Sequence, residues 1–179
     1  MFGAERQKEE IETIREKKII VKLSEADCER ISKLCGEHNI TVGELIENFI
    51  GDLVSGTYTN GSDERMLARN YFERCWFGMF PDLTLVNWLL NYSDMDLEEF
   101  YCTLDNIENN KEELEYAKSH ADEFAQGEVE TLKEDIAYWE KEIAEVKAEF
   151  LKENENANWE EEVANVKKFY EEMERMKDE

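Results

Sequence analysis

The sequence predicts a mainly helical protein, and three observations lead to this prediction. The 179 residues include one proline and eight glycines, which is few for a protein of many short strands and turns. Hydrophobic residues make up 41% of the chain and aromatic residues 11%, enough for a packed core although 37% of the residues are charged. Apolar residues recur at steps of three and four through most of the chain, the spacing of one helix face.

The first segments are a charged arm and a short strand followed by two helices. Residues 1–16 form the arm, and the β-branched run of residues 17–23 predicts the strand. Its apolar face consists of Ile19, Val21 and Leu23. Its opposite face consists of Lys18, Ile20 and Lys22. Ser24 is positioned to cap the first helix and Thr41 to cap the second, so the order is strand, helix, helix.

This order, together with the opening of the second helix at residues 39–46 (Asn-Ile-Thr-Val-Gly-Glu-Leu-Ile), resembles the ribbon-helix-helix family over residues 17–54. The resemblance implies a homodimer in which the strand pairs with its twin from a second chain. It also implies that Lys18, Ile20 and Lys22 read the DNA major groove while Thr41, Val42 and Gly43 anchor a phosphate. The alternative is a dimerisation module without a DNA surface, because Ile20 cannot hydrogen-bond a base and Glu44 lies near the phosphate position.

A hinge and an aromatic helical core are predicted next. Residues 55–62, Ser-Gly-Thr-Tyr-Thr-Asn-Gly-Ser, have the composition of a hinge. Residues 63–104 then contain nine of the 20 aromatic side chains, namely Tyr71, Phe72, Trp76, Phe77, Phe80, Trp88, Tyr92, Phe100 and Tyr101. Ser62 is expected to cap the first helix of this core, Pro81 to end it, Thr84 to cap a short helix, and Asp94 or Asp96 to begin the next.

The region 105–179 predicts an acidic coiled coil. Apolar residues alternate at steps of three and four over 129–150 and again over 159–173, separated by a polar stretch at 151–158. The helix either continues there with a break in register or turns back. An antiparallel hairpin is favoured because it pairs opposite charges, namely Lys147 with Glu160, Glu140 with Lys167, and Lys133 with Glu174. The helix from about Asp96 to Gln126 is the candidate to pack beside it.

The charge of the chain predicts its partner. There are 45 Asp and Glu residues against 21 Lys and Arg, a net charge of −24, of which −15 lies in residues 105–179. Such a surface repels nucleic acid, so we expect a basic protein as partner. The carboxylates predicted to bind it form one flank of the hairpin: Glu128, Asp135, Glu142, Glu149 and Glu162. The alternative is that these residues only keep the protein in solution.

The sequence offers no catalytic or metal-binding motif. The two histidines, His38 and His120, have no partner at metal-ligand spacing, and no glycine-rich phosphate loop occurs. The four cysteines lie far apart, no leader is evident and no apolar stretch reaches the length of a membrane span. We therefore expect a cytoplasmic protein that is not an enzyme and needs no cofactor or metal.

A small, acidic, helical, non-enzymatic chain of this plan resembles the inhibitor proteins of phages and mobile elements, among them the anti-CRISPR proteins. The resemblance implies that the chain blocks a basic nucleic-acid-binding enzyme such as an RNA-guided DNA nuclease, its carboxylates replacing phosphates. Two alternatives remain. One is a ribbon-helix-helix transcriptional regulator or antitoxin, and the other is a structural dimeric adaptor.

Overall fold

The computed structural model describes residues 2–120 and 126–178, and over these residues the chain forms nine helices and no strand. The first five helices, α1 to α5, are Phe2–Glu12, Glu25–Glu37, Val42–Val54, Ser62–Arg74 and Trp76–Met79. The other four, α6 to α9, are Leu85–Asn91, Leu97–Ser119, Gln126–Glu153 and Trp159–Asp178. The prediction of a mainly helical protein is confirmed.

The helices begin where the sequence places their caps, with one exception. The side chains of Ser24, Thr41, Thr84 and Asp96 each accept a hydrogen bond from a backbone N–H of the first turn. Such caps satisfy amides that have no partner inside the helix. The exception is Ser62, which is the first residue of α4, because Gly61 occupies the cap position.

The chain divides into two compact units, an N-terminal unit that ends at Pro81 and a C-terminal unit of residues 82–178. The predicted hinge, residues 55–62, therefore lies inside the N-terminal unit. There the buried carboxylate of Asp52 accepts hydrogen bonds from the backbone N (2.8 Å) and side-chain Nδ2 (2.9 Å) of Asn60. A Cβ at Gly51 would lie 2.4 Å from the carbonyl oxygen of Tyr58, so the loop closes tightly against α3.

The predicted strand does not form among the described residues of the single chain. Residues 14–23 have no regular secondary structure, and residues 18–23 make no backbone hydrogen bond to any other described residue. A strand is defined by pairing with a neighbour. Residues 18–23, called the extended segment below, have no such neighbour among the described residues. Its side chains nevertheless alternate in exposure, since Ile20 is 92% exposed and Val21 56%. Pairing with a second chain stays a prediction.

The C-terminal unit has an aromatic core. Phe100 of α7 and Phe150 of α8 are fully buried. The Phe150 ring packs on Trp88 of α6 at 6.0 Å between centroids and on Trp159 of α9 at 6.4 Å, and the Phe100 ring packs edge-on to Trp159 at 6.1 Å. The aliphatic and methionine side chains buried around them are Leu85, Leu89, Met95, Leu97, Val146 and Val166. Four helices therefore share one core.

The predicted helical hairpin is corrected in its partners. The chain does turn between α8 and α9, and Phe150 does contact Trp159. The helix packed along α8 is α7, however, and α9 packs on α6 and α7. The helix that begins near Asp96 was expected to pack beside a hairpin of α8 and α9. It is instead one arm of the hairpin, because α7 is the helix that packs along α8.

The three charge pairs predicted across that hairpin do not form. Glu140 pairs with Lys111 of α7 at 2.6 Å, and Lys167 pairs with Glu108 of α7 at 3.1 Å. Lys147 lies over the ring of Trp159, with its Nζ atom 5.4 Å from the centroid. Exposed ion pairs contribute only a few tenths of a kcal/mol, so apolar packing decides which helices meet.

We expect Phe150→Ala to lower the free energy of unfolding by about 3–5 kcal/mol, because it removes a buried ring and leaves a cavity between α6, α8 and α9. Urea unfolding followed by far-UV circular dichroism measures the change. The matched control is Tyr138→Ala on the same helix, an exposed residue whose removal should change stability by less than ~0.5 kcal/mol. Equal effects at the two positions would show that α8 does not pack through Phe150.

Candidate interaction surfaces

The N-terminal unit contains an open apolar groove of about 470 Å³. The extended segment contributes Val21 and Leu23 to its wall, and α2 contributes an ion-paired Asp27 and Arg30 at the edge. The remaining lining residues come from α2 and α3 and are Ile31, Leu34, Val42, Leu45 and Ile46. The face of the segment that the sequence predicts to be apolar thus faces the two helices that follow it.

The N-terminal unit buries few of its apolar side chains. Among its described hydrophobic residues only Cys35 and Ala68 are buried, while large side chains are exposed on the extended segment and on α2 to α5. The chain exposes 14076 Å² in total. Two separate compact units sharing its mass would expose roughly 11,000 Å². The excess of about 3,000 Å² is several times the roughly 800 Å² that one partner covers in a standard interface, so it exceeds what a single interface explains.

The residues predicted to bind DNA lie at two places in the N-terminal unit. Lys18, Ile20 and Lys22 are exposed on the extended segment. Thr41 and Gly43 lie at the N-terminus of α3, and that helix end is already occupied by a carboxylate. The Thr41 Oγ1 atom accepts from the backbone N–H of Glu44 (3.1 Å), and the Glu44 Oε2 atom accepts from the backbone N–H of Thr41 (2.6 Å).

This reciprocal arrangement is a capping box, and the hydrogen bond from the Thr41 backbone N–H is the main reason that the pKa of Glu44 lies below its usual value. A phosphate bound at the same helix end would be placed beside the ionised Glu44. The signal for this cap was present in the sequence, as the Thr-Val-Gly-Glu pattern of residues 41–44.

The carboxylates predicted to bind a partner differ in exposure. Glu128 and Glu149 are exposed, whereas Asp135 and Glu142 are half-buried on α8. Glu162 has a role in the fold, because its Oε2 atom accepts the backbone N–H of Leu85 at 2.8 Å, at the start of α6. Four further exposed carboxylates of α9 were not among those predicted to bind a partner, namely Glu160, Glu161, Glu171 and Glu172.

The two units differ in net charge. Residues 82–178 contain 29 Asp and Glu against 10 Lys and Arg, a net charge of −19, whereas residues 1–81 have a net charge of −4. Many of the acidic side chains lie on α7, α8 and α9, whose apolar faces share the core around Phe100 and Phe150. The C-terminal unit therefore presents its carboxylates from helices fixed by that core.

Within the described parts of the chain, no group of three or more His, Cys, Asp or Glu side chains is placed to hold a metal ion. None of the helices in residues 2–120 and 126–178 is long and apolar enough to span a membrane. No protein-family model matches the chain, and no curated protein or solved structure is significantly similar to it. The surfaces described above are thus the basis for a functional proposal.

Thr41→Ala should raise the pKa of Glu44 part of the way toward its ordinary value, because it removes the Thr41 hydroxyl, the second cause of the lowered pKa, and keeps the Thr41 backbone N–H, which is the first. Since the folded-state pKa of Glu44 is lowered, the box stabilises the fold above the unfolded-state pKa. That contribution is lost as the pH falls through the folded-state pKa. The measurement is an NMR pH titration of the Glu44 side-chain carbon in wild type and variant. Thr84→Ala, which removes the cap of α6, is the control and should leave the Glu44 titration unchanged.

Proposed function

We propose that this chain is a non-enzymatic acidic interaction protein that binds and inhibits a basic nucleic-acid-binding enzyme. The observation that supports the proposal best is the net charge of −19 in residues 82–178, where 23 of the 29 acidic residues lie on α7, α8 and α9, helices whose apolar faces are packed in one core. Because the carboxylates are held on packed helices, little backbone freedom is lost when they meet a partner.

A groove that binds nucleic acid is lined by Lys and Arg and has a positive potential, which attracts any fixed row of negative charge. Carboxylates compete with phosphates there by the same electrostatic interaction. The exposed acidic positions of α8 and α9, such as Glu149, Glu160 and Glu171, would face the basic side chains of that groove.

An RNA-guided DNA nuclease is the enzyme class that we propose as target. Such enzymes hold a heteroduplex in a positively charged channel and recognise it through its backbone, so an acidic helical unit can occupy the channel without matching a sequence. The chain would then act as an anti-CRISPR protein.

The N-terminal unit is proposed to make the protein a homodimer. A second copy that places its own residues 18–23 beside these would supply the backbone partners that the segment lacks in one chain. The same approach would cover the apolar groove lined by Val21, Leu23 and Leu45. This is the arrangement that the ribbon-helix-helix resemblance implies.

A DNA-binding regulator or antitoxin is the second candidate. The exposed side chains of Lys18, Ile20 and Lys22 favour it, since they form the outer face of the segment opposite the groove. The carboxylate of Glu44 at the N-terminus of α3 opposes it. A structural dimeric adaptor, the third candidate, would use the same dimer without inhibiting any enzyme.

The first test is inhibition. In a panel of nucleic-acid enzymes that includes CRISPR nucleases, we expect the protein to bind and inhibit at least one. DNA or high salt should release it from that enzyme. Changing Glu160, Glu161, Glu171 and Glu172 to Gln should weaken inhibition by about tenfold or more.

The matched control for this charge change is Glu25, Glu29, Glu37 and Glu47 to Gln, which removes the same number of charges from exposed positions of the N-terminal unit. Equal losses in the two variants would mean that net charge alone acts. Absence of any inhibited enzyme would favour the adaptor. Tight binding to duplex DNA that is lost in Lys18→Ala with Lys22→Ala would favour the regulator.

The second test is dimerisation through the extended segment. Val21→Asn should weaken self-association by about tenfold or more, because it places a polar amide in the apolar groove. Ile20→Asn, the neighbouring change on the exposed side, should leave it unaltered. Sedimentation equilibrium over a range of concentrations measures both variants. The same dissociation constant for the two would exclude the groove from the interface.

A further inference from the structure

A second apolar surface of the N-terminal unit lies far along the sequence from the groove. At the end of α4 and along α5, four aromatic side chains meet in two pairs. The rings of Phe72 and Phe77 are 5.2 Å apart between centroids, and those of Trp76 and Phe80 are 4.9 Å apart. These side chains are between 44% and 78% exposed, with Trp76 the most exposed. We call these four residues the aromatic surface.

The backbone around Gly78 holds this surface in place. A Cβ at Gly78 would lie 2.1 Å from the carbonyl oxygen of Phe72 and 3.2 Å from the Cα of Glu73, so only glycine permits α5 to fold so closely onto the end of α4. The extended conformation of Cys75 (φ −67°, ψ 151°) separates the two helices. The rings are thus fixed side by side while remaining exposed.

The exposed area is toward the upper end of what a typical monomer leaves uncovered. With about 200 Å² per aromatic side chain, the exposed fractions of the four rings correspond to roughly 500 Å². Met79, also exposed, adds to this area. The largest apolar patch on a typical monomer is about 300–600 Å², and a standard interface buries about 800 Å² per partner. The aromatic surface and its margin therefore approach what one side of a stable dimer needs.

Charge indicates which partner can approach. Residues 62–81 contain three arginines, Arg65, Arg69 and Arg74, and three acidic residues, Asp63, Glu64 and Glu73, so their net charge is zero in a chain of net charge −24. Two copies of so acidic a protein repel one another over much of their surface. A locally neutral apolar surface is where self-association has the smallest electrostatic cost.

We propose that the aromatic surface binds the aromatic surface of a second copy across a two-fold axis. In such an interface each ring pair of one copy packs on the rings of the other, with Trp76 as the anchor. This interface goes beyond the proposed function, because it uses none of the residues that line the groove. With both interfaces formed and their two-fold axes crossing at right angles, dimers would join into closed tetramers.

The test is the mass of the full chain in solution. Trp76→Ser with Phe80→Ser should weaken this self-association by about a hundredfold, since an aromatic anchor and its neighbour are lost, and should halve the largest species seen by sedimentation equilibrium. The control, Tyr138→Ser with Phe169→Ser, changes two exposed aromatic residues of the C-terminal unit and should leave the mass unchanged. Trp76→Glu alone places two like charges at the two-fold axis of the interface and should lower the mass as the double Ser variant does. This second variant keeps the test valid if the double Ser variant fails to fold.

The outcomes separate this interface from the groove dimer. The single variant Val21→Asn should still form a dimer through the aromatic surface. Adding Trp76→Glu to the same chain should dissociate that dimer into monomers. An unchanged mass in both aromatic variants would overturn the proposal. Retention on phosphatidylcholine vesicles that depends on Trp76, without any change in mass, would overturn it in favour of a lipid surface. The proposal would also be overturned by a complex with a different protein that is lost in Trp76→Glu, if the mass of the protein alone stays unchanged. The aromatic surface would then bind that other protein.

Discussion

The packing of Phe100 and Phe150 against Trp159 is the interaction on which the C-terminal unit depends. It brings α7, α8 and α9 together, and Trp88 adds α6 to the same core. The ion pairs of this unit, such as Lys111 with Glu140, are exposed and contribute little to its stability. Because the apolar faces of the helices are used in the core, acidic side chains remain on the outside. The acidic surface is therefore a consequence of the packing.

The N-terminal unit differs from the C-terminal unit because it leaves much of its apolar surface exposed. Its buried apolar residues are small, many of its large apolar side chains are exposed, and residues 18–23 have no backbone partners among the described residues. Burial of apolar area is the main favourable term in folding, at about 25 cal/mol per Å², so a unit that leaves such area exposed gains stability when a partner covers it. The weaker net charge of this unit, −4 against −19, makes self-association less costly here than in the C-terminal unit. The two units thus favour different kinds of partner.

The local features of the fold could be predicted from the sequence, whereas the long-range contacts could not. The caps at Ser24, Thr41, Thr84 and Asp96 depend on residues three positions apart, so their signal is contained in the sequence. The heptad pattern identified the apolar faces of α8 and α9, but it does not specify which helix covers them, and α7 does so. The closure of residues 55–60 through Asp52 and Asn60, and the contact of Gly78 with Phe72, join positions whose pairing has no periodic signature. The hydrogen bond between Glu162 and the backbone of Leu85 had no signal in the sequence for the same reason, since the two residues lie 77 positions apart.

Self-association and acidic binding would reinforce one another. A dimer presents two acidic units. When the first unit has bound one basic surface of a target, the second unit meets another basic surface of the same target at an effective concentration set by the link between the two units. For a short flexible link this concentration is in the millimolar range. Overall affinity can then exceed that of one unit by orders of magnitude without any new contact, provided that the target has two basic regions within reach. A target with a single basic groove would gain nothing from the second unit. The dependence of affinity on the oligomeric state of the chain therefore reflects the number of basic sites on its partner.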